Sequence, residues 1–371
     1  MRILFAIHTP KDPRSAVYGY VLQRTAFLEE RGHETVVLAP SDFPAVRRLP
    51  PRWLPLAFPV ALAGRLRREP VDLAVFHSFS GWAALLLRGR SKGPRVITQF
   101  HGLEPLFYRT LRDEMVRLGR PYRLRFRLFN EVVIPALLRF ACRRSDRVLC
   151  LNSAEMRFLG EKGWAAPSRL ALAANSVAPE FFLDRAYPAA ASRLLFLGQW
   201  LEGKGTRYLA DAFGSLAAEH PDLHLWCVGT RAEPEEVLQS FPPHLRVRVT
   251  AVRDADRQGI LEHLARADVF VFPSLSEGFS LALLEAMAAG LPIVTTPVGA
   301  APDLLAEGVS ALFAPSSDAG ALAAAVRRLL ADAALREHLG RGARAAAEPY
   351  AWSRLREPWA ALLEETAGES R

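Results

Sequence analysis

Cysteine is scarce, with three in 371 residues, at positions 142, 150 and 227. Their spacing fits neither a disulfide framework nor a thiolate metal site, and a reducing compartment suits them. Long apolar runs are also missing. None approaches the ~18 residues that cross a bilayer, so no membrane-spanning helix is expected. The opening Met1-Arg2-Ile3-Leu4-Phe5 is too short for a secretory leader and runs straight into a strand-like pattern. Cytoplasmic residence is therefore the expectation. Apolar residues, by contrast, make up 50% of the 371, enough for the cores of two α/β domains.

Charge is uneven. The formal net charge is +8, and from Arg109 to Arg147 eleven arginines stand against Asp113, Glu114, Glu131 and Asp146. That window carries +7, nearly the whole excess. Within it, Arg120-Pro121-Tyr122-Arg123-Leu124-Arg125-Phe126-Arg127 alternates cations with apolar and aromatic residues, and 134–140 is apolar. Two readings stand level: an anionic membrane surface, which attracts such residues by ~1 kcal/mol each, and a solvated helix face. Nucleic acid is the weaker third, since no nucleic-acid fold signature is present.

Strand-like and helix-like segments alternate through both halves. Strands are expected at 2–8, 35–38, 71–76, 95–100 and 147–151. They resume at 194–197, 223–228, 247–252, 269–272 and 293–295. A helix is expected from Tyr20 to Arg31, and Pro44 to Pro59 reads as a surface loop. The alternation predicts parallel doubly wound sheets. It lapses around Ala178 to Ser192, where an interdomain linker is expected. The expected domains are 1–180, 190–348 and a C-terminal helical tail at 349–371, with Trp352, Leu355 and Trp359 on one side of its helix.

The most informative stretch is Phe272-Pro273-Ser274-Leu275-Ser276-Glu277-Gly278-Phe279-Ser280-Leu281, followed by Ala282-Leu283-Leu284-Glu285-Ala286-Met287-Ala288-Ala289-Gly290-Leu291-Pro292. A buried strand leads into a glycine turn and then a helix that Gly290 and Pro292 stop. The turn lies at the carboxyl end of a strand, where open α/β sheets bind ligands. The helix start offers backbone N–H groups suited to a phosphate. Glu277 and Glu285 flank that anion site and fit hydroxyl groups better than phosphate. On residue types alone, an ordinary strand–helix unit with two surface glutamates remains open.

Glu277, Gly278, Phe279 and Glu285, with the Ala286–Pro292 run, resemble the E-x7-E signature of retaining glycosyltransferases of family 4, which have the GT-B fold. The resemblance implies two Rossmann-like doubly wound α/β domains facing each other across a cleft, with a C-terminal helix crossing back to the first. The first domain would bind the acceptor and the second the nucleotide-sugar. It implies metal-independent transfer of a sugar from a nucleotide-sugar, UDP-sugar before GDP-sugar, to a glycan, lipid-linked or small-molecule acceptor. No cofactor is expected. Residence at the inner face of a membrane, through the Arg109 to Arg147 window, goes with a lipid-linked acceptor.

Residue roles follow from the same resemblance. Glu277 would accept from a hydroxyl of the transferred sugar and Glu285 from the ribose. Backbone groups of Gly278, Phe279, Ser280 and Leu281 would hold phosphate and sugar. Gly198-Gln199-Trp200-Leu201-Glu202-Gly203-Lys204-Gly205 is similar to the family's G-R-x-x-x-x-K-G element. Lys204 would reach the diphosphate as a mobile point charge. Gln199 stands where the family has arginine, so a bidentate cation is lost and a cation elsewhere is expected to compensate. His101, in Gln99-Phe100-His101-Gly102, matches a family histidine near the transferred sugar; on its own a histidine at a strand end is more often structural. Val17-Tyr18-Gly19-Tyr20 takes the place of a Gly-Gly loop before the first helix, with Gly19 retained for a close approach to the diphosphate. Val252 would line the nucleobase pocket through its backbone. Asp254-Ala255-Asp256 is read as a helix cap rather than a metal site. Gln199 and the altered glycine loop leave an alternative open, a degenerate protein of this fold that binds sugar nucleotide or partners another subunit. An epimerase of similar architecture is disfavoured by the two glutamates.

Overall fold

The computed structural model describes residues 1–12, 16–88 and 93–368. Two compact units divide the chain, Met1–Asn175 together with Ser353–Arg371, and Ser176–Trp352. The last three residues of the expected C-terminal tail lie outside the described residues.

In the first unit, six strands form one sheet: β1 Arg2–Ala6, β2 Glu34–Leu38, β3 Leu73–His77, β4 Arg95–Gln99, β5 Arg147–Cys150 and β6 Leu170–Leu172. The order is β2-β1-β3-β4-β5-β6, and every pairing is parallel. Every residue of β3 is buried, which is why Leu73 to Phe76 reads as an unbroken apolar run. The chain goes outward from β1 to β2 and returns to β3 on the other side of β1. This reversal opens a crevice at the carboxyl ends of β1 and β3.

The final helix, Trp352–Gly368, supplies this unit with Trp359, Ala360, Leu363 and Thr366 as buried residues. Trp359 stacks on Phe5 of β1 with ring centroids 6.4 Å apart. Arg31 pairs with Glu357 at 2.6 Å and Glu364 at 3.0 Å. Of the three residues expected on one side of this helix, Trp359 is buried, and Trp352 and Leu355 are partly covered. The expected proline-rich loop is also corrected. Residues Pro44–Arg47 and Leu54–Arg68 are helices, and Pro55, Phe58, Pro59 and Leu62 are buried. Pro44 and Pro55 stand in the first turn of their helices, where a missing N–H removes no intrahelical bond.

The second unit repeats the plan with β7 Arg193–Leu197, β8 His224–Val228, β9 Val249–Val252, β10 Val269–Phe272, β11 Ile293–Thr295 and β12 Leu312–Phe313. Its parallel order is β12-β11-β10-β7-β8-β9. Here the direction reverses between β7 and β10, so the loops that follow these two strands face one crevice. The change between units falls at Asn175 and Ser176. The stretch expected as a linker is instead fastened to the second unit. Arg185 donates to the carbonyls of Ala267 and Ala289, each at 2.8 Å, and to that of Leu264. Buried Arg336 donates to Pro188 O at 2.6 Å and Ala189 O at 2.9 Å. Loop carbonyls bound by arginine account for the missing strand and helix pattern there.

Between Phe107 and Val133 the first unit exposes Phe107, Val116, Leu124, Phe126, Leu128, Val132 and Val133 among its arginines. The short helix Leu124–Leu128 buries none of its residues. The following helix, Ile134–Arg144, turns Ile134, Leu138, Ala141 and Cys142 into the core. One face of the run at 134–140 is thus core, and the large exposed apolar residues of this window lie before it. Among the described residues, no helix is long and apolar enough to cross a membrane.

Candidate active site

Two loops meet at the switch point of the second unit. The loop after β7 runs through Gln199 and Lys204 to Gly205, which begins helix Thr206–Glu219 in a left-handed conformation, φ +69°. A Cβ here would collide with the Pro273 carbonyl oxygen, so only glycine fits. The loop after β10 carries Ser274 and Glu277. The two loops are tied by Leu275 N donating to Gly203 O at 2.9 Å and Ser274 Oγ donating to the same oxygen at 3.3 Å.

Within this frame Glu277 accepts from Lys204 Nζ at 2.5 Å and from Ser274 Oγ at 2.6 Å, both on Oε1. The lysine side chain is 27% exposed and the glutamate 11%. Lys204 Nζ also lies 5.7 Å from the centre of the Phe272 ring. From the far side, Gly299, φ +57°, presses on the same loop, and a Cβ there would come within 2.6 Å of Glu277 O. Ala300 N donates to Gly278 O at 3.0 Å. The Glu277–Gly278 turn is therefore held between two backbone clamps.

Ser280 caps helix Leu281–Ala288, its side chain accepting from Leu283 N at 3.2 Å. The N–H groups of Leu281 and Ala282 have no intrahelical acceptor and sit at the positive end of the helix. At the other end, Gly290 N bonds Met287 O at 2.9 Å and Leu291 N bonds Ala286 O at 3.1 Å. With Gly290 at φ +70° this is a Schellman stop. Phe279 is a core side chain, its ring tilted against that of Tyr350 at 6.0 Å, so only its backbone can face a ligand.

Glu285 lies on that helix. Burial pushes its carboxyl up to about 8, opposed by Arg257. A carboxyl raised in the folded state stabilises fully below its unfolded value of about 4.5, and that contribution is lost as pH rises through about 8. Glu285→Gln, which cannot ionise, is expected to melt above the wild type at pH 8 and no higher at pH 5. Glu104 and Glu155, both pushed up to about 7 by burial, act in the same direction, so the readout is the difference between variant and wild type. A difference in melting temperature that stays flat from pH 5 to 8 would refute the assignment.

The other expected residues of this unit lie on neighbouring strand ends. Val252 ends β9, and its carbonyl accepts from Thr230 N at 3.1 Å and Thr230 Oγ1 at 3.4 Å. Gln199 is exposed. Cations on the adjacent loops are paired, Arg231 with Asp254 at 2.6 Å and Arg253 with Glu233 at 2.5 Å. Asp256 caps helix Arg257–Arg266 by accepting from Gly259 N at 2.8 Å. Among the described residues no group of three His, Cys, Asp or Glu side chains is placed to hold a metal.

The first unit holds His101 and Gly19. Gly19 is not in a loop; it lies in the first turn of helix Ala16–Glu30, which begins four residues before the expected start. Tyr20 is buried under the Arg24 guanidinium, 3.4 Å from its ring centre, and its hydroxyl accepts from Gln99 Nε2. His101, just beyond β4, shares a 2.6 Å hydrogen bond with His77 of β3 and meets Tyr20 edge-on at 5.2 Å. Burial, then the charges of His8 and Arg24, push His101 down to about 3. Burial likewise lowers His8 to about 4. Imidazoles cluster at this crevice and stay neutral. Nearby, Ser78 in a left-handed conformation donates to Glu104.

Sequence reading missed Ser274, His77 and Glu104. Ser274 could have been found from its place three residues before Glu277. A single histidine or glutamate at a strand or helix end carries no such signal.

Known proteins share both the sequence pattern and the fold. The description Glycosyltransferase Family 4 matches residues 19–181, and Glycosyl transferases group 1 matches residues 191–332. A phosphatidyl-myo-inositol mannosyltransferase of Mycobacterium leprae (strain TN) is 29% identical over 366 residues, 92% of this chain and 91% of the relative. Sucrose-phosphate synthase from Thermosynechococcus elongatus superposes with a TM-score of 0.79 at 20% identity, over 98% of each chain. Anabaena HepE, solved in complex with UDP, gives a TM-score of 0.70 at 17% identity, over 98% of this chain and 100% of the other.

Proposed function

The chain belongs to the family 4, group 1 glycosyltransferases and has the GT-B fold of two Rossmann-like domains, and from that premise we propose a retaining enzyme that draws on a nucleotide-sugar. UDP-sugar is the first choice of donor and GDP-sugar the next. The acceptor is a glycan, a lipid-linked molecule or a small molecule. One observation carries the reading. A cation, a carboxylate and a helix start converge where β7 and β10 part.

In this reading Lys204 leaves Glu277 for the donor diphosphate. The N–H groups of Leu281 and Ala282 and the helix dipole share that charge. Glu277, so released, accepts from a hydroxyl of the transferred sugar. Glu285 takes the ribose hydroxyls, Val252 and Gln199 border the nucleoside, and backbone of Gly278, Phe279 and Ser280 lines the sugar. Gly19, lacking a side chain, leaves room for the diphosphate beside the start of its helix, and His101 bonds the transferred sugar as a neutral ring. The acceptor oxygen bonds to the anomeric carbon on the face from which the phosphate departs. The departing phosphate oxygen takes the acceptor proton, so no protein nucleophile is required. The UDP in the HepE complex supports the donor choice. The mannosyltransferase relative, named for a phosphatidylinositol, supports a lipid-linked acceptor.

A thermal-shift screen with UDP, GDP and ADP tests the donor reading. A ligand at a hundred times its Kd is expected to add about 2.7 kcal/mol, seen as a rise in melting temperature. No response to any of the three removes the reading. The apolar-cationic surface before Ile134 is assigned to anionic lipid. Arg123→Glu with Arg125→Glu is expected to weaken partition onto phosphatidylserine vesicles about 30-fold, from ~1 kcal/mol per arginine. Unchanged co-sedimentation would leave that surface merely solvated.

A further inference from the structure

His77 is fully buried at the end of β3 and stands opposite Gln99 in the parallel register with β4. His101 follows two residues later. The two rings are 4.5 Å apart, with His101 Nε2 and His77 Nδ1 separated by 2.6 Å. One of these nitrogens holds the shared proton and the other accepts it. His77 Nε2 decides which. It is buried and has no hydrogen-bond partner. An N–H orphaned in a protein interior is rarer and less tolerable than an orphaned lone pair. The proton of neutral His77 therefore belongs on Nδ1, where it is bonded, rather than on Nε2, where it would be stranded.

We propose that His77 is a positioning residue that fixes the tautomer of His101, so that His101 presents an N–H from Nδ1, and never a lone pair, to its substrate. With Nε2 of His101 occupied as an acceptor, its own proton can sit only on Nδ1. His101 is the less buried ring of the pair. The substrate atom that suits this group is an oxygen with a free lone pair, as on a sugar hydroxyl. The groups around His101 keep the arrangement uncharged. His8 beyond β1, His77 on β3, and Tyr20 and Arg24 on helix Ala16–Glu30 provide neutral rings and a cation, and burial disfavours a second positive charge. His101 is thus a donor whose strength is independent of pH near neutrality. The substrate contact rests on the transferase reading; the tautomer does not.

The test uses the full chain labelled with 15N-histidine, and long-range 1H–15N correlation reads both nitrogens of His101. In the wild type Nδ1 is expected to be protonated and Nε2 bare, unchanged from pH 5 to 8. Protonated Nε2, or a charged ring within that range, overturns the proposal without any variant. His77→Phe is expected to give a mixed tautomer at His101 and to lower kcat for UDP-sugar turnover about tenfold, with KM for the donor within about twofold. His77→Asn, whose amide can donate from the same place, is expected to restore the wild-type nitrogen pattern and most of kcat. A His101 pattern and a kcat both untouched by His77→Phe overturn it equally. Wild-type protein that has the expected pattern but turns over no nucleotide-sugar overturns the functional reading alone.

Discussion

Glu277→Ala is expected to lower sugar transfer about 10²–10³-fold while leaving the protein folded, as judged by initial rates beside a thermal melt. The carboxylate has two partners in the structure, and neither depends on it for folding. Lys204 is 27% exposed and can turn to water when its 2.5 Å bond is removed. Ser274 retains Gly203 O at 3.3 Å and Ser276 O at 3.4 Å as acceptors. A partly exposed ion pair contributes at most about 1 kcal/mol. The catalytic loss has a different origin, since the sugar hydroxyl would face a methyl group in a water-excluded site and be left without an acceptor. Turnover within about threefold of wild type would show that Glu277 is merely Lys204's partner.

The second large effect is on the frame. Gly205→Ala is expected to destabilise the protein by about 3 kcal/mol and to abolish the melting-temperature response to nucleotide. Two terms add. A left-handed alanine at φ +69° carries about 1–2 kcal/mol of strain. Its methyl would also strike the Pro273 carbonyl, a backbone atom directly after β10, so the loops bearing Lys204 and Glu277 must part. Gly308→Ala isolates the first term, since Gly308 has φ +72° and nothing within 4 Å of where a Cβ would stand. Chemical melts of the two variants should differ by about 1–2 kcal/mol. Equal losses would mean that the loops do not approach as described.

Much of the fold was legible because parallel strands buried on both faces have no alternation to obscure them. Val269–Phe272 and Ile293–Thr295 have the expected bounds. One edge strand of each sheet was not legible. Leu170–Leu172 and Leu312–Phe313 are three and two residues long, too short to show any pattern. Prolines between 44 and 59 read as loop because their role in a first helical turn depends on where the helix begins, which composition does not disclose. In the site, the Lys204 and Glu277 loops were legible through local motifs. Ser274 and Gly299 were not assigned their parts, because what they do is set by close approach across strands rather than by neighbours in sequence. The tie between His77 and His101 is of the same kind, joining 24 residues of separation through strand register.

The first unit is written in two pieces, 1–175 and 353–371, with the whole second unit between them. Phe5, among the earliest residues, finds its stacking partner in Trp359, near the far end of the chain. During synthesis the second unit is therefore entire before the first has its last helix, although the first leaves the ribosome earlier. Until Trp359 emerges, Phe5 of β1 waits without its stacking partner.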